Sequence, residues 1–548
     1  MAMVVQGGSL CFSSVVLLLF LTQYANATSL NCDRFPELSS PASGLRRREL
    51  WANRFSSPGF LREPSSDDAL VRSDFPPDFI FGSATAAYQV EGAAHEDGRG
   101  PSVWDIFSEG SPERISDGSN GSVAIDFYHR YKDDVALMKE IGMDAFRFSI
   151  SWSRVLPGGS LKNGGVNPQG IKFYNDLINE VISQGMTPYV TLFHWDAPQG
   201  LEDEYNGFLS RRIVKDFKDF AKVCFDNFGD RVKHWITLNE PWTFSVYGYD
   251  YGYHAPGRCS TWVNENCTAG NSSTEPYIVA HNLLLSHAAA VQLYRKKYQA
   301  VQKGQIGLTL NLFWMVNYTD SQCDIEAAER ATDFMYGWFL HPTTYGDYPC
   351  SMKDIVQDRL PKFTAKQSKL LKKSYDFVGV NYYTARYAAN NPYSNRVNVS
   401  YMNDFLVDLE TEKDGEPIGT ASDLSWLYVY PSGIKDLLKY TKEKYDNPTI
   451  YVTENGYSES NNKSKPLKES LNDTTRIDYY KSHLEYVQAA INEDEVDVKG
   501  FFTWSFADNY EWSDGYTARF GIVFIDYDDD LKRYPKSTTC WLQKFLQN

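Results

Sequence analysis

The sequence has no apolar run long enough to cross a membrane, and it has little positive charge for its length. The apolar run Val15–Leu21 holds seven residues, whereas a transmembrane helix needs about 20. Lys and Arg number 54 against 70 Asp and Glu, which gives a net charge of −16. A chain this acidic is repelled by phosphate backbones and by anionic lipid surfaces. The composition therefore predicts neither a nucleic-acid partner nor a membrane partner.

Motifs that would indicate a cofactor, a metal or a serine nucleophile are also missing. No Gly-x-Gly-x-x-Gly follows the first predicted strand, which argues against a dinucleotide-binding fold. A serine hydrolase of the α/β type would contain a Gly-x-Ser-x-Gly elbow, and none occurs. A metal site would need histidines and carboxylates at ligand spacing, and His194 has no such partner nearby in the sequence. We therefore expect no cofactor and no metal ion.

The N-terminal segment has the pattern of a secretory signal peptide. The run Val15–Leu21 is followed by Ala25-Asn26-Ala27, which is a small-x-small cleavage pattern. We predict a signal peptide over residues 1–27. Residues 28–73, rich in Ser, Pro, Arg and Asp, are predicted to be a propeptide or disordered leader. The expected destination is the extracellular space or a vacuole.

Glycosylation triplets and cysteines fit passage through the secretory route. Asn-x-Ser/Thr triplets, the acceptors of N-glycans, occur beyond the signal at Asn120, Asn266, Asn271, Asn317, Asn398, Asn462 and Asn472. Cys259 and Cys267 stand eight residues apart in a Gly-, Asn-, Ser- and Thr-rich loop, and we predict a disulfide between them. Cys11 lies in the signal. For the other five cysteines, the spacing in the sequence predicts no disulfide partner. They are Cys32, Cys224, Cys323, Cys350 and Cys540.

From about residue 75 onward, short apolar runs alternate with amphipathic stretches, eight times in all. The predicted strands are Phe79–Ala86, Ala145–Ser151, Thr187–His194, His234–Glu240, Gln305–Phe313, Tyr375–Tyr383, Thr449–Glu454 and Lys499–Ser505. The predicted helices are 126–141, 167–184, 210–228, 276–300, 324–338, 431–444, 473–492 and 536–546. Eight strand–helix pairs favour a closed parallel (β/α)8 TIM barrel over an open sheet. We predict one α/β domain over residues 74–548, with long βα loops.

Two of the predicted strands end in a glutamate beside an asparagine. They lie in Trp235–Pro241 (WITLNEP) and Ile450–Gly456 (IYVTENG). Each is a β-branched or apolar run, typical of a buried parallel strand. A carboxylate at the end of such a strand is costly unless the site uses it. One glutamate could simply cap the following segment, but the pair Glu240 and Glu454 indicates a functional site.

Other polar and aromatic side chains are predicted at the same end of the barrel. They are Gln89, His194, Asn239, Asn381, Tyr383, Trp504, Glu511 and Trp512. Amide, imidazole, carboxylate and indole groups suit a neutral ligand with many hydroxyl groups. With two carboxyls, they indicate acetal hydrolysis, which needs a proton for the departing oxygen and a nucleophile or activated water at the anomeric carbon. The spacing does not decide which glutamate does which, or whether the configuration is retained.

Five ordered motifs resemble those of glycoside hydrolase family 1, most closely the plant β-glucosidases. They are Phe81–Gly92 (FGSATAAYQVEG), Phe193–Asp196, Thr237–Pro241, Val452–Gly456 and Trp504–Trp512. The resemblance implies a retaining enzyme with its two carboxyls roughly 5 Å apart. It makes Glu454 the nucleophile and Glu240 the acid that protonates the aglycone and then, as a base, activates water. The partner it implies is a small-molecule β-glucoside.

The resemblance also implies roles for the remaining residues of the site. Gln89, His194, Asn239, Glu511 and Trp512 would bind the glucose, and Asn381 and Tyr383 would orient the nucleophile; Trp504 would lie beneath the sugar, Phe520 near its 6-position and Trp426 against the aglycone. One hypothesis follows for the two carboxyls. We expect the negative charge of Glu454 to keep Glu240 protonated until that charge is consumed.

Three alternatives to an O-glucosidase stay open. Thioglucosidases of the family usually carry Gln where Glu240 stands, because a thiolate leaves without a proton, so Glu240 favours O-glucosides. A transglucosidase on the same fold would pass glucose to an acceptor other than water. A non-catalytic barrel would only bind glycosides, which the presence of both glutamates opposes. The sequence leaves open the aglycone and whether the chain forms a homo-oligomer.

Overall fold

The computed structural model describes residues 70–395 and 397–547. The predicted signal peptide, the predicted leader up to residue 69, Cys11 and Cys32 lie outside the described residues. Within them, residues 70–319, 324–395 and 397–547 belong to one compact unit. No helix in the described ranges combines the length and the apolar character that a membrane span requires. In the same ranges, no cluster of three or more His, Cys, Asp or Glu side chains could hold a metal ion.

Eight parallel strands close into a barrel. They are β1 (Ile80–Ala84), β2 (Ala145–Ser149), β3 (Thr187–Thr191), β4 (His234–Asn239), β5 (Gln305–Asn311), β6 (Val378–Asn381), β7 (Ile450–Asn455) and β8 (Val498–Trp504). Neighbours in the barrel are neighbours in the chain, and β8 pairs with β1, where Ala84 faces Trp504. The predicted (β/α)8 barrel is thus confirmed. Several strands end earlier than their apolar runs do, because the chain turns into the loops there.

The outer helices follow the strands in the predicted order. Those that match predicted stretches are Phe127–Ile141, Pro168–Ser183, Ile213–Phe228, Glu275–Lys297, Gln322–Thr332, Ser432–Lys444, Thr474–Asn492 and Ser537–Gln547. Local signals set their ends. The Asn167 side chain accepts a hydrogen bond from the Gln169 N–H at 3.2 Å, with Pro168 at the first helical position. Gly142, at φ +99°, ends the helix before it.

Several further helices were not predicted. They are Val103–Gly110, Gln199–Tyr205, Pro241–Tyr249, Trp338–Tyr345, Cys350–Val356 and Ala365–Leu371. The predicted helix 324–338 is interrupted after Thr332 by a π-helical turn, Asp333–Gly337, before Trp338–Tyr345 begins. Each of these helices is only about two turns long, so its apolar residues form no recognisable period.

Aromatic side chains fill the barrel interior. The ring of Tyr189 lies 4.1 Å from that of His234 and almost parallel to it, and it meets Tyr451 and Phe502 at 5.3 and 4.9 Å. Arg147 of β2 is fully buried, where a guanidinium is stable only with partners. The interior is therefore a packed core, as in other barrels of this class, and the site must lie at the mouth.

Two long βα connections supply side chains to that mouth. The segment after β4 forms the helix Pro241–Tyr249 and then a loop in which Cys259 and Cys267 form a disulfide (Cα–Cα 5.5 Å). After β6, the strand Ala385–Asn390 joins Trp314–Asn317 and Val407–Glu410 in a three-stranded sheet. Both connections therefore have their own internal structure, which fixes the side chains that they present.

The free cysteines and the asparagines of the glycosylation triplets differ in how far they are exposed to solvent. Cys224 is a buried free thiol, and Cys350 and Cys540 are exposed free thiols. The triplet asparagines that are exposed are Asn266, Asn271, Asn398, Asn462 and Asn472, while Asn120 and Asn317 are partly exposed. A glycan is bulky and needs a surface position, so all seven asparagines are accessible enough to carry one.

Candidate active site

Glu240 and Glu454 stand at the C-terminal ends of β4 and β7 and line one cavity of about 590 Å³. Glu240 directly follows β4 and precedes Pro241, the first residue of the helix Pro241–Tyr249. Its φ of +41° lies in the left-handed region, which costs a residue with a side chain about 1–2 kcal/mol. This strained turn from strand to helix places the Glu240 carboxyl in the cavity.

Glu454 is held by two donors, one on β2 and one just after β6. The Arg147 Nη1–H donates to its Oε1 at 2.6 Å, and the Tyr383 hydroxyl donates to its Oε2 at 2.8 Å. The glutamate is 3% exposed and Arg147 is fully buried. A buried carboxylate needs both a compensating charge and hydrogen bonds. Arg147 and Tyr383 supply these and fix the orientation of the carboxylate.

Glu240 has only neutral hydrogen-bond partners. The Thr243 hydroxyl donates to its Oε2 and the Asn381 Nδ2–H to its Oε1, both at 2.7 Å. Burial, and after it the negative charge of Glu454, raise the pKa of Glu240 to about 8. The hypothesis that the charge of Glu454 keeps Glu240 protonated thus names the smaller of the two causes. Near neutral pH, Glu240 is a carboxylic acid that can donate its proton.

Asn239 joins the partners of the two glutamates into one network. Its Oδ1 accepts hydrogen bonds from Arg147 Nη2 at 2.5 Å and from Asn381 Nδ2 at 3.3 Å. Its Nδ2 lies 3.1 Å from His194 Nε2. The Thr453 hydroxyl donates to Asn381 Oδ1 at 2.8 Å. Side chains of β2, β4, β6 and β7 and of the loop after β3 are thereby tied together at the mouth, which makes their positions mutually dependent.

Polar groups suited to a hydroxylated ligand gather around Gln89. Its Nε2 donates to Asn509 Oδ1 and to the Tyr510 carbonyl at 2.9 Å each, and to Glu511 Oε2 at 3.5 Å. Gln89 Oε1 and His194 Nδ1 are buried and have no hydrogen-bond partner among the described residues. An unpaired buried polar atom is unfavourable unless a ligand or water satisfies it. These two atoms are therefore candidate contacts for ligand hydroxyls.

Aromatic rings enclose the same region. The His194 ring lies nearly parallel to those of Trp504 and Trp512, with centroids 5.9 and 5.8 Å apart. Burial holds the pKa of His194 well below its usual value, so the imidazole is neutral. Burial also raises the pKa of Glu511 well above its usual range, with the negative charges of Asp514, Glu454 and Glu240 adding to the effect. Neutral groups and indole faces suit an uncharged sugar.

A half-exposed indole marks the other wall of the cavity. Trp426 stacks near Phe520 and Phe313, at 6.4 and 6.2 Å, and meets Tyr383 edge-on at 5.8 Å. It is more exposed than Phe520, which is 2% exposed. The Trp426 side of the cavity therefore has room for a flat apolar group beside the carboxyls.

The structure brings together all twelve site residues that the sequence suggested. Those that line the cavity are His194, Glu240, Asn381, Tyr383, Trp426, Glu454, Trp504, Glu511, Trp512 and Phe520. Gln89 and Asn239 lie directly behind it, bonded to Glu511 and His194. Sequence reasoning missed Arg147, Thr243 and Phe313. Arg147 carried a signal, since an arginine within the apolar run 145–149 requires a buried anion, and Glu454 is that anion.

Comparison with known proteins gives consistent matches. The profile described as Glycosyl hydrolase family 1 matches residues 71–548. The chain is 56% identical over 493 residues to β-glucosidase 24 of Oryza sativa subsp. japonica, covering 90% of this chain and 97% of that protein. It is 58% identical over 482 residues to furcatin hydrolase of Viburnum furcatum, covering 88% of each.

Solved structures agree with these relatives. The crystal structure of a rice β-glucosidase is 48% identical and superposes with a TM-score of 0.86, covering 88% of this chain and 100% of that one. A mutant of the same rice enzyme, in a covalent complex with glucose, matches with the same TM-score and identity. Identity this high, over nearly the whole of each relative, makes the likeness one of sequence as well as fold.

Proposed function

The chain belongs to glycosyl hydrolase family 1, and from this premise we propose that it is a retaining β-glucosidase, which hydrolyses the O-glycosidic bond of a β-D-glucoside to glucose and an aglycone. The observation that carries this function is the unequal environment of two carboxyls in one cavity. Glu454 is paired with the Arg147 guanidinium, while Glu240 has only neutral partners and a pKa raised to about 8. Two such carboxyls can act as nucleophile and acid.

In the first step Glu454 attacks the anomeric carbon while Glu240 gives its proton to the glycosidic oxygen. The bond between the anomeric carbon and that oxygen breaks, the aglycone leaves as a neutral alcohol or phenol, and a covalent glycosyl-enzyme forms on Glu454. The Tyr383 hydroxyl, 2.8 Å from Glu454 Oε2, and Arg147, 2.6 Å from Oε1, orient the attacking carboxylate. The covalent glucose complex of the rice relative supports an intermediate of this kind.

In the second step water replaces the aglycone. Glu240, now a carboxylate, takes a proton from the water while the water oxygen attacks the anomeric carbon. The bond between that carbon and Glu454 breaks, and Glu454 departs as a carboxylate. Formation of the glycosyl-enzyme removes the negative charge of Glu454, which is one of the two causes that raise the pKa of Glu240. The pKa of Glu240 therefore falls at the point where Glu240 must be ionised to act as a base.

The sugar is bound by the groups that surround Gln89. Gln89, His194, Asn239, Glu511 and Trp512 hydrogen-bond the glucose hydroxyls, Trp504 lies beneath the ring, Phe520 lies near its 6-position and Trp426 stacks on the aglycone. The buried unpaired atoms Gln89 Oε1 and His194 Nδ1 support this arrangement. Asn381 donates to Glu240 and accepts from Thr453, the residue before Glu454, so it positions the acid directly and the nucleophile through its neighbour.

The enzyme enters the secretory route and is an extracellular or vacuolar glycoprotein. The Cys259–Cys267 disulfide and the surface position of the triplet asparagines support this location. Expression of the full chain in plant cells with a C-terminal tag tests it. The purified protein should begin after residue 27 and lose mass on treatment with an N-glycan amidase, whereas an intact N-terminus without glycans would contradict it.

The reaction is tested by following the anomeric proton of released glucose by NMR. A retaining hydrolase yields β-glucose first, which then equilibrates with the α-anomer. Inversion, or release of aglycone without free glucose, would contradict the proposal. Addition of an alcohol acceptor separates hydrolysis from glucosyl transfer, because a transglucosidase would give the alkyl glucoside as its main product.

A further inference from the structure

A second cavity adjoins the substrate cavity and has no part in the reaction described above. It has a volume of about 390 Å³, and we call it the side cavity. Three aromatic side chains, Trp242, Tyr247 and Phe313, line both cavities. Tyr247 and Phe313 are only half-buried, so part of the partition lies outside the close-packed core, where side chains can change rotamer. A ligand that extends from the substrate cavity into the side cavity must displace these rings.

The walls of the side cavity are mostly apolar and aromatic. They include Phe334, Met335, Tyr401, Met402 and Phe405. Aromatic rings and flexible thioethers accommodate flat apolar groups. A second sugar ring would instead require several amide or carboxylate partners for its hydroxyl groups. The lining thus suits an extended aromatic or alkenyl group more than a disaccharide.

One cation lies in this apolar wall without a counterion. Arg386 lines the side cavity and is 7% exposed. The other buried arginines of the described ranges, Arg147, Arg154, Arg476 and Arg519, each form an ion pair with a carboxylate. Arg386 has no carboxylate within ion-pair distance among the described residues. A buried charge without a counterion is costly, and burial lowers the pKa of Arg386. Two aromatic rings compensate part of that cost, because the Arg386 Cζ lies 5.1 and 5.7 Å from the ring centroids of Phe313 and Tyr428.

The hydrogen bonds of Arg386 leave donors free. Its Nη1 donates to the Ala385 carbonyl at 2.7 Å and lies 3.4 Å from Thr384 Oγ1, and its Nη2 donates to the Trp426 carbonyl at 2.5 Å. An arginine has five N–H groups in a planar fork. The Nε–H and one Nη2–H remain without a partner in the described residues. Two neighbouring N–H groups are the arrangement that binds a carboxylate with both oxygens.

We propose that the side cavity receives the distal end of the aglycone and that Arg386 pairs there with a carboxylate, so that the preferred substrates are glucosides of flat apolar aglycones ending in a carboxylate. This inference rests on the β-glucosidase function proposed above. Asp408 and Glu410, both exposed, also line the side cavity. Their negative charges oppose any anion in the side cavity, so the carboxylate binds Arg386 only where the sugar and the apolar contacts of the aglycone offset that repulsion.

Matched pairs of substrates test the proposal. The 4-O-β-glucosides of 4-hydroxybenzoic acid and of 4-hydroxycinnamic acid are each compared with their methyl esters, which have nearly the same shape without the charge. We expect kcat/KM to favour the acid over its ester by about tenfold or more for at least one of the two lengths, because hydrogen bonds to charged groups are the stronger kind. The difference should lie mainly in KM, since the contact is remote from the reacting bond.

Two variants locate the origin of this preference. Arg386→Met removes the charge and should bring the acid-to-ester ratio to within about twofold of one. Arg386 also binds the Trp426 carbonyl, so its removal could displace Trp426. A second variant therefore keeps Arg386: Met402→Trp fills the side cavity and should likewise remove the preference for the acid. Arg212→Met, at an exposed arginine that lines neither cavity, is the control and should keep the wild-type ratio.

Every other outcome overturns the proposal. An acid-to-ester ratio near one for both lengths in the wild type would exclude the carboxylate contact, as would a preference that survives Arg386→Met. Loss in Arg386→Met but not in Met402→Trp would exclude the side cavity as its location. Failure of the wild type to hydrolyse 4-nitrophenyl β-glucoside would instead contradict the proposed function itself, so the two failures are distinguishable.

Discussion

Arg147 Nη1 and Glu454 Oε1 lie 2.6 Å apart inside the barrel, and both side chains are almost completely buried. The same guanidinium donates to Asn239 Oδ1 at 2.5 Å and to the Thr453 carbonyl at 3.1 Å. One side chain of β2 thus binds the ends of both β4 and β7, the strands that present the two glutamates. The relative position of Glu240 and Glu454 therefore depends on Arg147.

Replacement of Arg147 by methionine should impair both stability and turnover. Removing one partner of a buried ion pair costs about 3–5 kcal/mol, because the other charge remains buried and unpaired. Turnover should fall further than stability alone explains, since Glu454 and Asn239 lose their common anchor. Arg147→Lys keeps the charge without the planar fork and should recover stability more than activity. Thermal unfolding and kcat on 4-nitrophenyl β-glucoside, measured below the unfolding temperature, separate the two effects.

Arg154→Met is the matched control for this substitution. Arg154 is 1% exposed and pairs with Glu91 at 2.8 Å, but neither residue lines the substrate cavity. Its loss should lower the unfolding temperature by a similar amount while the folded protein keeps most of its kcat. If both variants lose kcat to the same degree, Arg147 contributes only to stability, and its positioning role is wrong.

The two glutamate variants should differ in a way that reveals their roles. Glu454→Gln should abolish turnover on every glucoside, because no covalent intermediate can form. Glu240→Gln should lose about 10²–10⁴-fold on substrates with poor leaving groups and much less on 2,4-dinitrophenyl glucoside, whose leaving group departs without a proton. Pre-steady-state kinetics of dinitrophenol release provide the measurement.

Added azide, a small anionic nucleophile, provides the control for the Glu240→Gln and Glu454→Gln variants. It should speed turnover of Glu240→Gln on the activated substrate and give β-glucosyl azide, since a small anion needs no general base. It should not restore Glu454→Gln with retention of configuration. Near-normal activity of Glu454→Gln, or a β-azide product from it, would reverse or refute the assignment.

The glycine that follows Glu454-Asn455 has no room for a side chain. A Cβ added to Gly456 would lie 1.9 Å from the Trp504 carbonyl oxygen. Gly456→Ala should therefore displace Trp504 and destabilise the protein by about 1–3 kcal/mol. If Trp504 lies beneath the sugar, the variant should bind sugar more weakly, so both the KM for glucosides and the inhibition constant for glucose should rise. Gly110→Ala is the control, because a Cβ there would meet nothing within 4 Å, and it should leave both properties unchanged.

The barrel and its mouth could be predicted because their signals are local. Each strand, such as β4 or β7, is a continuous apolar run, and the glutamate stands at its end. Contacts between distant residues left no such signal. Asn381 binds Glu240 although 141 positions separate them in the sequence, and only the closed barrel brings the two together. The sequence indicates that Arg147 needs a buried anionic partner, but it does not indicate which of the many Asp and Glu residues that partner is.

The positions of residues on irregular loops could not be predicted from periodic patterns in the sequence. Trp426 lies in the connection 384–430, where short hairpins and turns give no steady period, and it was identified through resemblance alone. Phe313 lines both cavities and Arg386 lines the side cavity. Phe313 precedes the short strand Trp314–Asn317 and Arg386 lies in Ala385–Asn390, two strands whose pairing depends on the whole fold. Position on such segments is set by tertiary contacts, which propensity does not encode.

The reaction should slow at alkaline pH because Glu240 must be protonated when the aglycone leaves. Its pKa of about 8 predicts that kcat/KM for a poor leaving group declines tenfold per pH unit once the pH exceeds about 8. The acid form predominates below that pH, so the decline is a basic limb. With the activated dinitrophenyl substrate, Glu240→Gln should lack this limb entirely. A limb that persists there would belong to another group.

Thr243→Val should move the same basic limb to higher pH. The Thr243 hydroxyl donates to Glu240 Oε2 at 2.7 Å, and this bond lowers the pKa of the carboxyl by stabilising its charged form. Valine has nearly the same shape but no donor, so burial and the charge of Glu454 then act with less opposition. The pH profile of kcat/KM on a phenyl glucoside measures the shift, with 2,4-dinitrophenyl glucoside as the substrate that should be insensitive to it. A limb that moves to lower pH would mean that the hydroxyl accepts a hydrogen bond from protonated Glu240 rather than donating one. A limb that stays in place would mean that the hydroxyl favours neither form of Glu240.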